Sequence, residues 1–338
     1  MKRYSYYIKP GNINNLKIIE ENINDPDNFE VQVEINSIGL NFADVFCVFG
    51  LYKAAPKKSF IPGLEYSGVV RKIGANVEKF KIGDRVMGVC LFGAYTTMIN
   101  SDYRYLMKIP DNWSFQEGAS YLVQIFTAYY GLVFLCNLKQ KETVLIHSAG
   151  GGVGIMANRI AKKFDCMTIG TVGNKDKIDF CLAQGYDKVI VRDKNFKFNL
   201  IKTLGDKKLN VIMECIGGKI FKDSFDVLAP MGRIVVYGFA EYMPKGNRLN
   251  YIKLLLKYFN RPKLDLQNLN NKTISGFNLI YLFKEVDVMH KLLNELRDLG
   301  LENKPFVGHQ YDFNSLKEAL KFLQKGENIG KVVVNIKE

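Results

Sequence analysis

A chain of 338 residues with a hydrophobic fraction of 47% and a charged fraction of 24% has the make-up of a globular protein and exceeds the usual size of one domain, so two domains are expected. Its six cysteines, Cys47, Cys90, Cys136, Cys166, Cys181 and Cys215, form no C-x-x-C pair and there are only three histidines, which argues against a thiolate zinc cluster and against a disulfide framework. The net charge of +13 suits an anionic partner, whether a phosphorylated cofactor, a lipid surface or nucleic acid, but lysine is spread along the whole chain and charge alone decides nothing.

The opening M-K-R-Y-S-Y-Y-I-K-P is broken by Pro10 before a signal-peptide core could form, and no apolar run in the sequence reads as membrane-spanning, so a cytoplasmic protein is expected. Up to about Val123 the sequence lacks long helical periodicity. It carries short β-rich runs at 31–35, 68–73 and 85–89 with turns such as Gly83-Asp84, which predict a twisted, partly barrel-like β domain. Ser114 and Glu117 form a capping box, S-F-Q-E, just after Pro110, and predict a helix running towards Thr127.

Between about Gln124 and Ile280 strand and helix alternate. Strands are expected at 143–147, 166–171, 188–191, 211–216, 232–237 and 274–280, a rhythm that predicts a doubly wound parallel sheet. The first of them leads into T-V-L-I-H-S-A-G-G-G-V-G, where Ala149, Gly151 and Gly154 occupy the three positions of a G-x-G-x-x-G fingerprint. A side chain at the second position would hold the backbone away from a pyrophosphate, and one at the third would hold the helix away from the strand. The helix N-terminus would then offer free N–H groups to phosphate; the plainer reading is a glycine-rich loop without a ligand.

Between the fifth and sixth strands lies a basic amphipathic segment, 245–263, with Ile252, Leu255, Leu256 and Phe259 on one helical face and Lys253, Lys257 and Arg261 largely off it. It fits a lid, a membrane-surface helix, or a helix packed at a subunit interface. The tail holds amphipathic helices at 286–299 and 315–324 and a last strand at 331–336, too little for a core of its own, so it should pack back on the first domain. The predicted fold is α/β, with residues 1–123 and 281–338 in a β-rich catalytic domain and 124–280 in a Rossmann domain.

Several blocks together resemble the medium-chain dehydrogenase/reductase superfamily, in particular its zinc-free quinone oxidoreductase, or zeta-crystallin, class. They are G-L-N-F-A-D from Gly39, I-P-G-L-E-Y-S-G-V-V from Ile61, G-D-R-V from Gly83, Q-I-F-T-A-Y-Y from Gln124, the fingerprint, G-R-I-V-V-Y-G from Gly232, and G-K-V-V-V from Gly330. They span almost the whole chain in family order. The segment from Arg261 to Leu282 looks like the branch of the vesicle amine transport protein homologues. The resemblance implies a GroES-like first domain and a homodimer paired through Rossmann sheet edges.

Zinc-dependent relatives have Cys where this chain has Asn41 and His where it has Leu64; Leu64 carries no donor atom, so no metal site is expected. Without a Lewis acid the acceptor should already take hydride well, as a quinone or an α,β-unsaturated carbonyl does. Asn41 and Tyr52 match positions that border nicotinamide and substrate in the class and are the candidate catalytic residues, one donating from its amide, the other stacking on or protonating the acceptor. Their plainer readings are a turn cap and a packed surface tyrosine. The resemblance also places Thr127, Gly152, Val153, Gly238, Phe239, Asn278 and Lys331 along the cofactor.

The second Rossmann strand ends G-T-V-G-N-K-D-K, whose first positions, up to Gly173, carry no carboxylate to bind a ribose 2′-OH and repel a 2′-phosphate; Asp176 is the dissenting residue, unless it only complements the dipole of the helix it begins. Lys177 matches a lysine that contacts that phosphate in the class, and Arg192 stands where the class often has Tyr, adding a second positive charge. The expected cofactor is therefore NADPH, and the expected activity a zinc-independent hydride transfer from it to a quinone, enal or enone. The rival reading is an NADPH-binding, largely non-catalytic adaptor attached to anionic lipid through Lys253, Lys257 and Arg261, or to RNA through its net charge; nucleic acid is the weaker of these partners.

Overall fold

The computed structural model describes residues 1–243, 254, 256, 258–261, 263, 269–301 and 303–336. In chain order the strands are β1 (Lys2–Tyr7), β2 (Lys17–Asn22), β3 (Glu30–Leu40), β4 (Glu65–Ile73), β5 (Arg85–Val89), β6 (Met98–Asp102) and β7 (Leu106–Lys108). They continue with β8 (Thr143–His147), β9 (Met167–Val172), β10 (Lys188–Val191), β11 (Val211–Glu214), β12 (Arg233–Val236), β13 (Thr273–Gly276), β14 (Val307–Asp312) and β15 (Lys331–Asn335). The helices used below are α1 (Phe42–Val48), α2 (Phe115–Gly118), α3 (Leu122–Tyr129), α4 (Gly152–Lys163), α5 (Ile178–Ala183), α6 (Phe196–Leu204), α7 (Gly218–Val227), α8 (Val286–Asp298) and α9 (Leu316–Lys325).

The chain divides into two compact units, Met1–Val123 with Ile280–Met289 and Lys304–Glu338, and Gln124–Leu279 with His290–Asn303. Residues 290–303, assigned to the first domain from sequence, group with the second. In the first unit a sheet runs β14-β15-β3-β4-β5-β7, with β6 also paired to β3, and β1-β2 form a separate ribbon. The tail does return to this unit: β15 pairs antiparallel with β3, Val334 opposite Ile38. The largely buried β3 leads into α1, a short helix that the sequence reading of this β-rich domain did not include. Its start is fixed by Asp44, whose Oδ2 accepts the Asn41 N–H at 2.7 Å.

In the second unit six strands form one sheet in the order β10-β9-β8-β11-β12-β13, every pair parallel. The strand order reverses between β8 and β11, and in sheets of this kind ligands bind outside the strand C-termini at that switch point. Period-two alternation puts Leu145, Ile169, Ile190 and Ile212 on one face, where they join Phe196, Leu200 and Leu204 of α6 and Leu228 in a buried core. β13 is shorter than the sequence suggested and is followed by a 3₁₀ turn at Leu279–Leu282.

The capping box closes as expected: Ser114 Oγ accepts the Glu117 N–H at 3.1 Å, and Glu117 Oε2 accepts the Ser114 N–H at 2.6 Å. The helical turns that follow reach Leu135, with a π-helical end from Tyr130 to Leu135. The stretch Phe115–Leu135, 21 residues whose most apolar window has a mean hydropathy of 1.3, is long and apolar enough to cross a membrane, which corrects the sequence reading. Here 72% of its most apolar window is buried inside the protein, the place of a core helix.

Candidate functional site

The dinucleotide fingerprint is a strand, a tight turn and a helix. All five residues of β8 are buried. The chain then turns through Ser148, held at a positive φ of 54°, and reaches Gly151, the N-cap of α4, in extended conformation with no side chain capping the helix. The first N–H groups of a 12-residue helix are thus left for a ligand.

The glycines differ in what crowds them. A Cβ on Gly154 would lie 2.5 Å from Ser148 O and 2.8 Å from Ala149 O, all backbone, whereas one on Gly151 would meet only Ser148 O at 3.3 Å. Gly154 lets helix and strand close, and Gly151 leaves the turn open on its outer side, the division of labour the fingerprint implies. Gly152 lies against the carboxamide of Gln124, whose Oε1 is buried without a hydrogen-bond partner.

The neighbouring strand supplies the positive charge. The Lys177 stem passes over the glycine turn, its Cδ 3.8 Å from a Cβ on Gly150. Arg192, just past β10, donates from Nη1 to Thr171 O and to Thr171 Oγ1, both at 2.8 Å, while its Nη2 comes within 3.3 Å of a Cβ on Gly173. Asp176, the acidic residue closest in sequence, is turned to Asn174, whose Nδ2 donates to it at 2.8 Å. The end of β9 therefore suits a phosphorylated ribose, with Arg192 beside Gly173, Lys177 over the glycine turn at Gly150, and Asp176 turned to Asn174.

One step towards the C-terminal edge from the apolar row of the core, the same face carries a polar row. Thr171 Oγ1 lies 2.8 Å from His147 Nδ1, and His147 Nε2 lies 3.1 Å from both Ser224 Oγ and Glu214 Oε2. His147 and Glu214 are fully buried. Burial, helped by the Arg192 charge, holds the imidazole well below its ordinary pKa, so it is neutral. Burial pushes the Glu214 carboxyl up to about 7, against the pull of the Gly217 and Ile216 N–H groups and of Arg192. His147 is thus a buried strand residue at the end of β8.

In the first unit a second polar cluster joins β3, β4 and β15. Lys331 Nζ is paired with Glu65 Oε1 and donates to Asn41 Oδ1 at 2.8 Å. Asn41 Nδ2 donates to Glu65 Oε1 at 2.9 Å and to Gly39 O at 3.3 Å, and Glu65 Oε2 accepts the Val123 N–H at 3.2 Å. Lys331 and Glu65 are only 3% and 1% exposed in their side chains. The amide of Asn41 is therefore engaged on both its donor and acceptor sides, and Lys331 is a buried partner of Glu65. Beside them Asp44 is fully buried. Its Oδ1 lacks a hydrogen-bond partner, and burial raises its carboxyl to about 7, opposed by the Asn41 N–H and the Tyr95 hydroxyl. Leu64 is buried as well and presents only carbon.

A family model described as zinc-binding dehydrogenase matches residues 152–295, and one described as alcohol dehydrogenase GroES-like domain matches residues 27–111. The human synaptic vesicle membrane protein VAT-1 homolog is 30% identical over 311 residues, covering 90% of this chain and 78% of that protein. The chain is a medium-chain dehydrogenase/reductase. The crystal structure of the human VAT-1 homolog-like protein superposes with a TM-score of 0.82 at 25% identity over 100% of this chain and 99% of that one. Quinone oxidoreductase of Escherichia coli, solved in complex with NADPH, gives 0.83 at 28% identity over 99% and 100%. The chain therefore has the two-domain GroES-like and Rossmann fold, and it is an oxidoreductase of that superfamily.

The remaining expected residues of this reductase fall as follows. Thr127 is buried on α3, Val153 sits in the first turn of α4, and Gly238 lies beyond β12 against Cys215, 3.1 Å from a Cβ on the glycine to the cysteine Cβ. Phe239 is 55% exposed, Asn278 precedes the 3₁₀ turn, and Tyr52 lies in the loop after α1, its carbonyl accepting the Ala55 N–H. Lys253 and Lys257 lie outside the described residues; Arg261 is described, stacked 4.2 Å from the Tyr258 ring. Sequence reasoning missed Thr171 and Ser224 altogether. It passed over Glu65 and Gln124 although both stood in quoted family blocks.

Proposed function

We propose that this protein is a zinc-independent, NADPH-dependent reductase that delivers hydride to a quinone or to the β-carbon of an α,β-unsaturated carbonyl. The observation that carries the reading is the end of β9, where Arg192 Nη2 stands beside Gly173, the Lys177 stem passes over the glycine turn at Gly150, and Asp176 is turned to Asn174. The NADPH-bound quinone oxidoreductase named above is a relative in which the same cofactor is held.

When bound, the nicotinamide supplies the hydride. The α4 N-terminus would hold the pyrophosphate through its uncapped N–H groups, Gly151 would admit it, and Arg192 and Lys177 would hold the 2′-phosphate by charge-assisted hydrogen bonds. Leu64 offers no metal ligand, so the acceptor must be electrophilic on its own account. Tyr52 stacks on the flat acceptor or returns the proton to it, and Asn41 acts by holding Lys331 and Glu65 in place. The protein works as a homodimer joined through the exposed edge at β13. The six free cysteines suit a reducing, cytoplasmic setting.

The test is NADPH consumption by chelator-treated protein with a panel of quinones, enals and enones, beside NADPH binding. Turnover that needs an acceptor, survives the chelator, and loses about tenfold in NADPH affinity in Lys177→Ala supports the reading. Tight NADPH binding with no acceptor reduced favours a second reading, an adaptor on anionic membranes. That reading draws on the exposure of Leu256 and Phe259, 59% and 71%, next to Arg261. Salt-sensitive binding to phosphatidylserine vesicles, abolished by neutralising Lys253 and Lys257, would mark it.

A further inference from the structure

We infer that Thr171, His147 and Ser224 are positioning residues: a buried hydrogen-bonded chain across the sheet that fixes the Arg192 guanidinium for the cofactor's 2′-phosphate and so sets selectivity for NADPH over NADH. The inference rests on the NADPH reading above.

Its geometry follows from the strand order. β10, β9, β8 and β11 are adjacent, and on the face that carries Ile190, Ile169, Leu145 and Ile212 the next residues two positions on are Arg192, Thr171, His147 and Glu214. Four neighbouring strands thus each place a polar side chain in one row at the C-terminal edge, directly above an apolar row. Burying such a row costs free energy unless every member is matched, and the proton bookkeeping shows that the chain is matched in one direction only.

A guanidinium can only donate, so Thr171 Oγ1 accepts from Arg192 Nη1. The single hydroxyl hydrogen of Thr171 then goes to His147 Nδ1, which must accept and therefore carries no proton. The proton of the neutral imidazole sits on Nε2, facing Ser224 Oγ and Glu214 Oε2, both at 3.1 Å, and Ser224 in turn donates to Ile220 O at 2.8 Å. Each hydroxyl has one hydrogen and each is used, so Thr171 cannot rotate without leaving His147 Nδ1 unpaired. A threonine fixed in this way offers Arg192 a side-chain acceptor at 2.8 Å beside its own carbonyl. Nη1 is spent on that fork and Nη2 is left beside Gly173, where a 2′-phosphate would lie. An arginine with free torsions would have to be ordered on binding; this one is ordered beforehand.

The test measures dissociation constants of NADPH and NADH by nicotinamide fluorescence for wild type, Thr171→Val, Thr171→Ser, Ser224→Ala, Arg192→Ala and Thr171→Val/Arg192→Ala. Valine keeps the shape of threonine and removes the acceptor. The expected result is an NADPH affinity lower by about fivefold in Thr171→Val, the scale of one net hydrogen bond, with NADH unchanged. Thr171→Ser restores the affinity, and Ser224→Ala, which frees the far end of the chain, shifts NADPH in the same direction by about twofold. The double variant binds NADPH no more weakly than Arg192→Ala alone, because the chain acts only through the arginine. If Thr171→Val weakens NADPH and NADH alike, changes neither, or adds in full to Arg192→Ala, the positioning role is overturned. In those cases a selective loss in Arg192→Ala still leaves the NADPH reading standing. If wild type binds both cofactors equally and Arg192→Ala changes nothing, the reading and the inference fail together.

Discussion

Two glycines three residues apart in the fingerprint should fail in opposite ways. In Gly154→Ala the new methyl meets Ser148 O at 2.5 Å, Ala149 O at 2.8 Å and Ala149 Cα at 2.9 Å, and none of these can rotate away because all are backbone. Restoring an ordinary carbon contact of about 3.5 Å requires α4 to withdraw from the turn by about 1 Å. Overpacking of this kind costs up to ~3 kcal/mol, from which ~1 kcal/mol of gain for alanine over glycine inside a helix is subtracted, leaving ~2 kcal/mol. For a unit of this size that lowers Tm by ~4–8 °C. Gly151→Ala faces only Ser148 O at 3.3 Å and sits at a φ of −84°, which any residue adopts, so its Tm should stay within ~2 °C of wild type. Its methyl instead occupies the side from which a pyrophosphate approaches, and NADPH affinity should fall by about tenfold or more. The assay is thermal unfolding without cofactor beside NADPH titration of the same preparations. An unchanged Tm in Gly154→Ala, or a loss of Tm without loss of affinity in Gly151→Ala, would refute the assignment of the two roles.

Lys331→Met should destabilise the first unit by ~3–5 kcal/mol in urea unfolding, because the Glu65 carboxylate is left buried without its cation. Adding Glu65→Gln should recover most of the loss, and an additive double variant would contradict the pairing. Glu214 shapes the pH dependence. Its carboxyl is raised from 4.5 to about 7 by burial, so the folded protein keeps a proton that the unfolded chain releases. The stability this group contributes is full below about pH 4.5 and is lost as pH rises to about 7, at a slope near 1.4 kcal/mol per unit. Glu214→Gln should flatten the urea midpoint across that window; a slope equal to wild type would show that Glu214 does not titrate there.

The second unit was legible because its signals are local. The apolar run of β8, the glycine turn and the helix spacing of α4 lie within some twenty residues, and the alternation after them leaves little choice but a parallel sheet. The polar row was not legible, since Thr171 is 24 residues from His147, Arg192 a further 21, and Ser224 77 from His147. Only the strand order makes them neighbours. The same holds for Lys331, which meets Glu65 across 266 residues through the pairing of β15 with β3. Its matched place in a family block gave no sign of that buried ion pair. Helix α1 escaped notice because its cap is the side chain of Asp44 three residues inside, within a run too short to show a helical period. The apolar stretch Phe115–Leu135 was underrated as a continuous segment because its capping box and its π-helical end look like separate signals in the sequence.

The most direct measurement of hydride transfer is the fate of deuterium. The protein is incubated with NADPH deuterated at the transferring position of nicotinamide C4 and an enal acceptor, after removal of metal by a chelator, and the product is analysed by mass and NMR. The account expects one deuterium at the β-carbon of the saturated aldehyde and an unlabelled α-carbon protonated from solvent or Tyr52. NADPH bound tightly with no deuterium transferred to any quinone-like or enone-like acceptor, or transfer that disappears with the chelated metal, would contradict it.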